Sequence, residues 1–141
     1  MSLYSQRLAH LKRELVVIKQ HQKKKPFKEN QIIMMNFING LTKKAIFTLN
    51  DQEIILEVGD AKKGFHHILI THYCSDCPGK LTARDIINMD RIITKGFRLH
   101  EVGVSNTHLV VYQYMKGDAQ YKLVLKPRGN NSLVVTMYSI G

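Results

Sequence analysis

Hydrophobic positions change period along this chain. They first recur at three- to five-residue steps, at Leu3, Leu8, Leu11, Leu15 and Ile18, with Arg7, Lys12, Arg13 and Lys19 between them. That spacing predicts an amphipathic helix over residues 3–20. The run Lys23-Lys24-Lys25 then meets Pro26. Proline lacks an N–H and clashes with the preceding turn, so the helix ends or bends there. Charge is concentrated here and the apolar stripe is narrow, so residues 1–25 read as a basic helical arm and residues 26–141 as the domain. Ile32, Ile33, Met35, Phe37 and Ile38 predict a second helix over 29–39.

The next runs are shorter. Ala45–Leu49 and Glu53–Val58 flank Asn50-Asp51-Gln52, which predicts a β-hairpin. Gly59-Asp60 breaks the pattern, and Asp60 is placed to cap a helix through 61–72. The stretch Cys74-Ser75-Asp76-Cys77-Pro78-Gly79 has the composition of a turn. Thr82 and Asp85 have the spacing of a capping box for a helix whose apolar face is Ile86, Ile87, Met89, Ile92 and Ile93, stopped by Gly96. The remainder reads as strands: Leu109–Met115, Tyr121–Lys126 and Leu133–Tyr138, separated by Lys116-Gly117-Asp118 and Arg128-Gly129-Asn130-Asn131. N-terminal helices followed by an antiparallel meander predict an α+β domain.

Composition narrows the function classes. The chain has 141 residues, is 44% hydrophobic and carries a formal charge of +10. It is long enough for a core and basic enough to expect a polyanionic partner. No apolar run has the length of a membrane span, and the first residues lack the pattern of a signal peptide, so no membrane partner and a cytoplasmic location are expected. Two cysteines do not make a secreted disulfide scaffold, although Cys74 and Cys77 could pair.

Candidate chemistry lies in two places. Gly64-Phe65-His66-His67-Ile68-Leu69-Ile70-Thr71-His72-Tyr73 is rich in imidazoles, and the last strand carries Thr136 and Tyr138. Histidine titrates near neutrality and serves as acid or base. Hydroxyls donate to phosphate oxygens, and lysine or arginine offsets charge that builds on phosphorus. Alternation puts Val134, Thr136 and Tyr138 on one strand face, with Leu133, Val135 and Met137 turned to the core. Likewise Lys122, Val124 and Lys126 share a face opposite Tyr121, Leu123 and Leu125. Antiparallel pairing then brings Lys122 or Lys126 beside the hydroxyls, with Arg128 a further candidate. On a helix His67 and Thr71 share a face, but His72 lies about 140° round from His67. Two converging imidazoles are therefore not expected from an unbroken helix. Either it ends near Thr71 or one histidine acts alone.

His67-Ile68-Leu69-Ile70-Thr71-His72, Leu81-Thr82-Ala83-Arg84-Asp85-Ile86-Ile87 and Val134-Val135-Thr136-Met137-Tyr138 together resemble the nucleases of the barnase–EndoU–colicin–RelE (BECR) fold, in the branch associated with phages and polymorphic toxins. The resemblance covers roughly residues 55–141. It implies a metal-independent endoribonuclease that needs no cofactor. His67 would be the first catalytic histidine and His72 the second, with Thr136 and Tyr138 on the phosphate side; Lys122, Lys126 and Arg128 are the candidates for binding substrate. It also implies RNA as substrate and, for a toxin, an acidic antitoxin or immunity protein as partner. The cysteine loop is not part of that pattern, and no basic residue occupies a fixed motif position.

Two other classes stay open. A non-catalytic basic RNA-binding or phage-structural module would share the charge and the fold. A small zinc protein could use Cys74, Cys77, His67 and His72, although one Cys-x-x-Cys without a second pair is weak and ligands so close in sequence need sharp folding.

Overall fold

In the computed structural model, residues 2–22, 25–49, 51–77, 79–99 and 109–140 are described. Lys23 and Lys24 of the basic run, Asn50 of the hairpin turn and Pro78 of the cysteine loop lie outside the described residues. The first helix, α1 (Leu3–His21), forms where the spacing predicts it. Ser2 caps it, its hydroxyl accepting the Ser5 N–H at 3.1 Å. Leu11, Leu15 and Ile18 are buried and belong to the same core as the rest of the chain. The expected boundary at residue 25 is therefore not a boundary of the core, because the apolar stripe of α1 has found partners inside it.

α2 (Glu29–Ile38) also forms as expected. Its first turn is closed by Gln31, whose side-chain oxygen accepts the Lys28 N–H at 2.8 Å while its amide donates to Asn88 at 2.8 Å. β1 (Ala45–Leu49) and β2 (Gln52–Leu56) make the predicted antiparallel hairpin. Asp51 turns it with φ at 64°, a conformation Asp tolerates better than most residues.

Asp60 does not cap the next helix. Its carboxylate accepts the N–H groups of Lys62 at 2.8 Å and Lys63 at 3.2 Å, closing a turn that delays the helix to α3 (Gly64–His72). The Lys62 N–H, with lesser help from Lys63, holds this exposed carboxyl below the usual range. The first donors of α3 are satisfied by backbone carbonyls trailing from β2: Phe65 donates to Glu57 at 3.0 Å and His66 to Val58 at 2.7 Å. A Cβ on Gly64 would lie 2.9 Å from the Glu57 oxygen, and its φ is 84°. Glycine is what lets β2 and α3 approach this closely.

Thr82 and Asp85 form the expected capping box, at 2.9 and 3.2 Å. The helix they start is shorter than predicted. It divides into α4 (Ala83–Ile87) and α5 (Arg91–Thr94), and the Asn88 side chain folds back on the Arg84 carbonyl at 2.8 Å. Asparagine competes with helical bonding in this way. The apolar residues of both pieces are buried in the common core.

β3 (Phe97–Leu99), β4 (Val110–Lys116), β5 (Ala119–Arg128) and β6 (Asn131–Ile140) form an antiparallel meander. The complete six-stranded order is β1-β2-β6-β5-β4-β3. One pairing departs from the antiparallel expectation, since β2 runs parallel to β6 from Glu53↔Asn131 to Ile55↔Leu133. The long connection between these strands, which contains α3 to α5 and β3 to β5, makes parallel pairing possible. The class is α+β, with a mixed but mainly antiparallel sheet. The helices pack on one face, where Phe47, Ile54, Leu56, Leu123, Leu125, Val134 and Met137 are buried.

The register of β6 corrects part of the face assignment. Val124 pairs with Thr136 and Leu125 with Val134, which leaves Val135 as an extra residue. This bulge moves Val134 to the core side, where it is 4% exposed, whereas strict alternation puts it beside Thr136. For the same reason Met137, but not Leu133 or Val135, is buried. Among the described residues no helix is long and apolar enough to cross a membrane.

Candidate functional site

The sheet face away from the helices carries the predicted strand residues. Directly opposite residues in an antiparallel ladder project from the same face. Lys122 is opposite Tyr138 and Val124 opposite Thr136, so the lysine and both hydroxyls share a face. The row continues from Lys122 to Gln113 on β4 and then to Phe97 on β3. Phe97 is 52% exposed. Lys126 pairs with Leu133 and Arg128 with Asn131, beyond the bulge. Four residues of strand put Lys126 roughly 13 Å along β5 from Lys122. Of the predicted cations, Lys122 alone is brought to Tyr138.

β6 leaves β2 after Leu133, and α3 packs against the strand beyond that point. Ser139 closes the edge by donating its N–H to the Gly79 carbonyl at 3.2 Å and its hydroxyl to the Lys80 carbonyl. The C-terminal end of α3 thus meets the end of β6. The His72 and Tyr138 rings have centroids 5.6 Å apart and planes tilted by 30°. His67 and His72 are also 5.6 Å apart, edge to face at 81°.

That convergence overturns the expectation that the two imidazoles diverge on an unbroken helix. α3 is continuous from Gly64 to His72. Helical spacing sets the Cα–Cβ directions, but rotation about χ1 carries each ring round the helix towards the other. His72 is the last residue of α3.

His67 is oriented by its own surroundings. Its Nδ1 lies 2.9 Å from the Ala61 carbonyl and 3.3 Å from the Thr71 hydroxyl. A carbonyl can only accept, so Nδ1 carries the hydrogen and Nε2 is the accepting nitrogen of the neutral ring. The turn made by Asp60 therefore has a consequence at the site, because it presents the Ala61 carbonyl that selects this tautomer.

Two residues that position the site were not singled out from the sequence. Arg7 of α1 donates from one Nη to the carbonyls of Leu69 at 2.8 Å and Ile70 at 2.9 Å, and lies 3.5 Å from the Cys77 sulfur. A cation at a helix C-terminus is favoured by unpaired carbonyls and by the helix dipole. Gly79 is the second. A Cβ there would come within 2.8 Å of the Tyr138 Cβ and 3.0 Å of His72 Nδ1, at φ 64°. Its place in a Cys-Pro-Gly loop signals a turn, but nothing local in the sequence indicates which side chains the turn must approach.

Cys74 and Cys77 are joined in a disulfide. Their sulfurs are spent on each other, so they do not complete a zinc set with His67 and His72 in this state. Thr136 faces the site from β6, and its hydroxyl is buried with no hydrogen-bond partner among the described residues. Such a group is costly unless something pairs with it. The arrangement as a whole offers two imidazoles for proton transfer, a phenol as donor and an ammonium group opposite the phenol, while the Thr136 hydroxyl lies beneath the accessible surface. No protein-family model matches the chain, and no curated protein matches it.

Proposed function

We propose that the chain is a metal-independent endoribonuclease of BECR type, a toxin or phage-derived nuclease that acts on RNA in the cytoplasm. The observation that carries this reading is the meeting of His67, His72 and Tyr138 opposite Lys122, on a chain of charge +10. The 2′-hydroxyl of RNA attacks its own phosphodiester. The new bond is 2′-oxygen to phosphorus, and the bond to the 5′-oxygen breaks. One imidazole takes the 2′ proton and the other gives a proton to the leaving 5′-oxygen, yielding a 2′,3′-cyclic phosphate and a 5′-hydroxyl.

His67 fits the base, because its Nδ1 is committed to Ala61 and its Nε2 accepts. His72, between His67 and Tyr138, fits the acid. Lys122 offsets charge on the phosphoryl oxygens, and Tyr138 donates to them. For a toxin, the expected inhibitor is an acidic protein that covers this face.

Purified protein and the double variant His67→Ala/Tyr138→Phe are to be compared on a fluorescent RNA oligonucleotide in the presence of chelator. Cleavage to cyclic-phosphate ends is expected from the parent and is lost in the variant, with circular dichroism unchanged. Undiminished cleavage by the variant rejects the assignment. Salt-steep RNA binding by a parent protein that never cleaves supports instead a non-catalytic RNA-binding module.

A further inference from the structure

A large cavity is on the other side of the sheet from His72 and Tyr138. Tyr121 and Met137 reach it, and each adjoins in sequence a residue of the opposite face, Lys122 and Tyr138. Its volume is about 930 Å³. Sites for small molecules and cofactors run to roughly 300–1,000 Å³. It lies between the C-terminal end of α1, the start of α2, α4, α5 and the tyrosine ends of β4 and β5.

Charge in the cavity is mainly positive. Lys25, Lys28, Arg84, Arg91 and Lys116 line it, against the single carboxylate of Asp85. That carboxylate is committed. It accepts the Thr82 N–H at 2.9 Å. The ion pairs among the described residues, His10–Glu14 and Lys44–Glu57, involve none of the five cations. Five cations against one carboxylate leave an excess of positive charge that repels itself, and an anion relieves the repulsion.

The cavity also has an aromatic wall. Tyr114 and Tyr121 are paired across β4 and β5, with ring centroids 6.5 Å apart and planes within 27°. Ile92 and Met137 add apolar surface, and Gln31 and Asn88, bonded to each other, supply amides beside it. A simple inorganic anion uses the charge but neither the rings nor the volume.

We infer that this cavity is a nucleotide-binding site, taking a base against the Tyr114–Tyr121 wall and its phosphates among Lys28, Arg84 and Arg91. The nucleotide is either free or the phosphorylated end of an RNA strand. The site does not depend on the nuclease reading, since the two sites use opposite faces of the sheet.

Calorimetric titration of the full chain with ATP, with a 5′-phosphorylated ribotrinucleotide and with tripolyphosphate tests the inference. Saturable one-to-one binding of ATP or of the trinucleotide is expected, and which of them binds identifies the source. Lys28→Glu/Arg84→Glu reverses two exposed cations and is expected to weaken binding at least roughly tenfold. Tyr114→Leu is expected to weaken nucleotide at least about fivefold while leaving tripolyphosphate unchanged. Tyr121→Phe keeps the ring and retains binding. His67→Ala/Tyr138→Phe also retains it, which separates this site from the one proposed for cleavage. Tripolyphosphate binding as tightly as ATP overturns the inference, as does binding insensitive to the charge reversal. Absence of saturable binding by either nucleotide also overturns it.

Discussion

Replacing Arg7 with methionine tests how the site is held. Methionine keeps a long apolar stem on α1 and removes the guanidinium. Two carbonyls at the C-terminal end of α3, those of Leu69 and Ile70, then lose their donor. A charged hydrogen bond contributes about 1.5–3 kcal/mol, and a cation at a helix end roughly 0.3–1 kcal/mol. Both acceptors share one Nη and the site is half-buried, so the contributions do not add in full. A loss of about 2 kcal/mol is the expected result. For a chain of this size, that is a fall in Tm of roughly 5–10 °C. Differential scanning fluorimetry measures it directly. The same change loosens the turn that ends in His72, so RNA cleavage should fall more steeply with temperature than in the parent, and Arg7→Lys should recover part of both losses. A Tm within about 1 °C of the parent would mean that the guanidinium bonds contribute nothing net, and the account of α1 as the anchor of α3 would fail.

Gly79→Ala places a methyl 2.8 Å from the Tyr138 Cβ and 3.0 Å from His72 Nδ1, at positive φ. A left-handed non-glycine residue costs about 1–2 kcal/mol, so a lower Tm is expected together with a loss of cleavage larger than the stability change explains. Full activity in a stable variant would show that the His72–Tyr138 spacing is immaterial. Tyr73 is raised above its ordinary pKa, first by burial and then by its hydrogen bond to Glu14 at 2.6 Å. The folded chain therefore keeps this proton at pH values where the unfolded chain releases it. Stability is full below about pH 10, the ordinary tyrosine value, and falls as pH rises beyond it. Tyr73→Phe should flatten that alkaline limb in thermal melts, at a cost near neutrality of about 1 kcal/mol for the lost hydrogen bond. An unchanged alkaline limb would refute the attribution.

Local pattern was enough for much of the fold. The spacing of Leu11, Leu15 and Ile18 specifies both a helix and its buried stripe, because periodicity and burial have the same cause. The Thr82–Asp85 box, the β1–β2 hairpin and the run of strands from β4 to β6 are likewise written in neighbouring residues. Thr136 and Tyr138 share a face because strand alternation is local, and Val134 leaves that face because a bulge depends on the partner strand. The parallel seam between β2 and β6 joins residues far apart in sequence and has no local signature.

What the sequence determined by itself was the α+β class, the helix and strand content and the chemical kinds of group available to a site. Those properties follow from bonding and burial within a few residues. Tertiary structure alone decided that His72 lies against Tyr138, that Lys122 and not Lys126 is opposite that phenol, and that Arg7 holds the end of α3. It also placed the basic tyrosine cavity on the far side of the sheet. Each of these depends on register or on packing between distant segments, where one residue of slip exchanges the two faces of a strand and sends its side chains to the opposite side of the sheet.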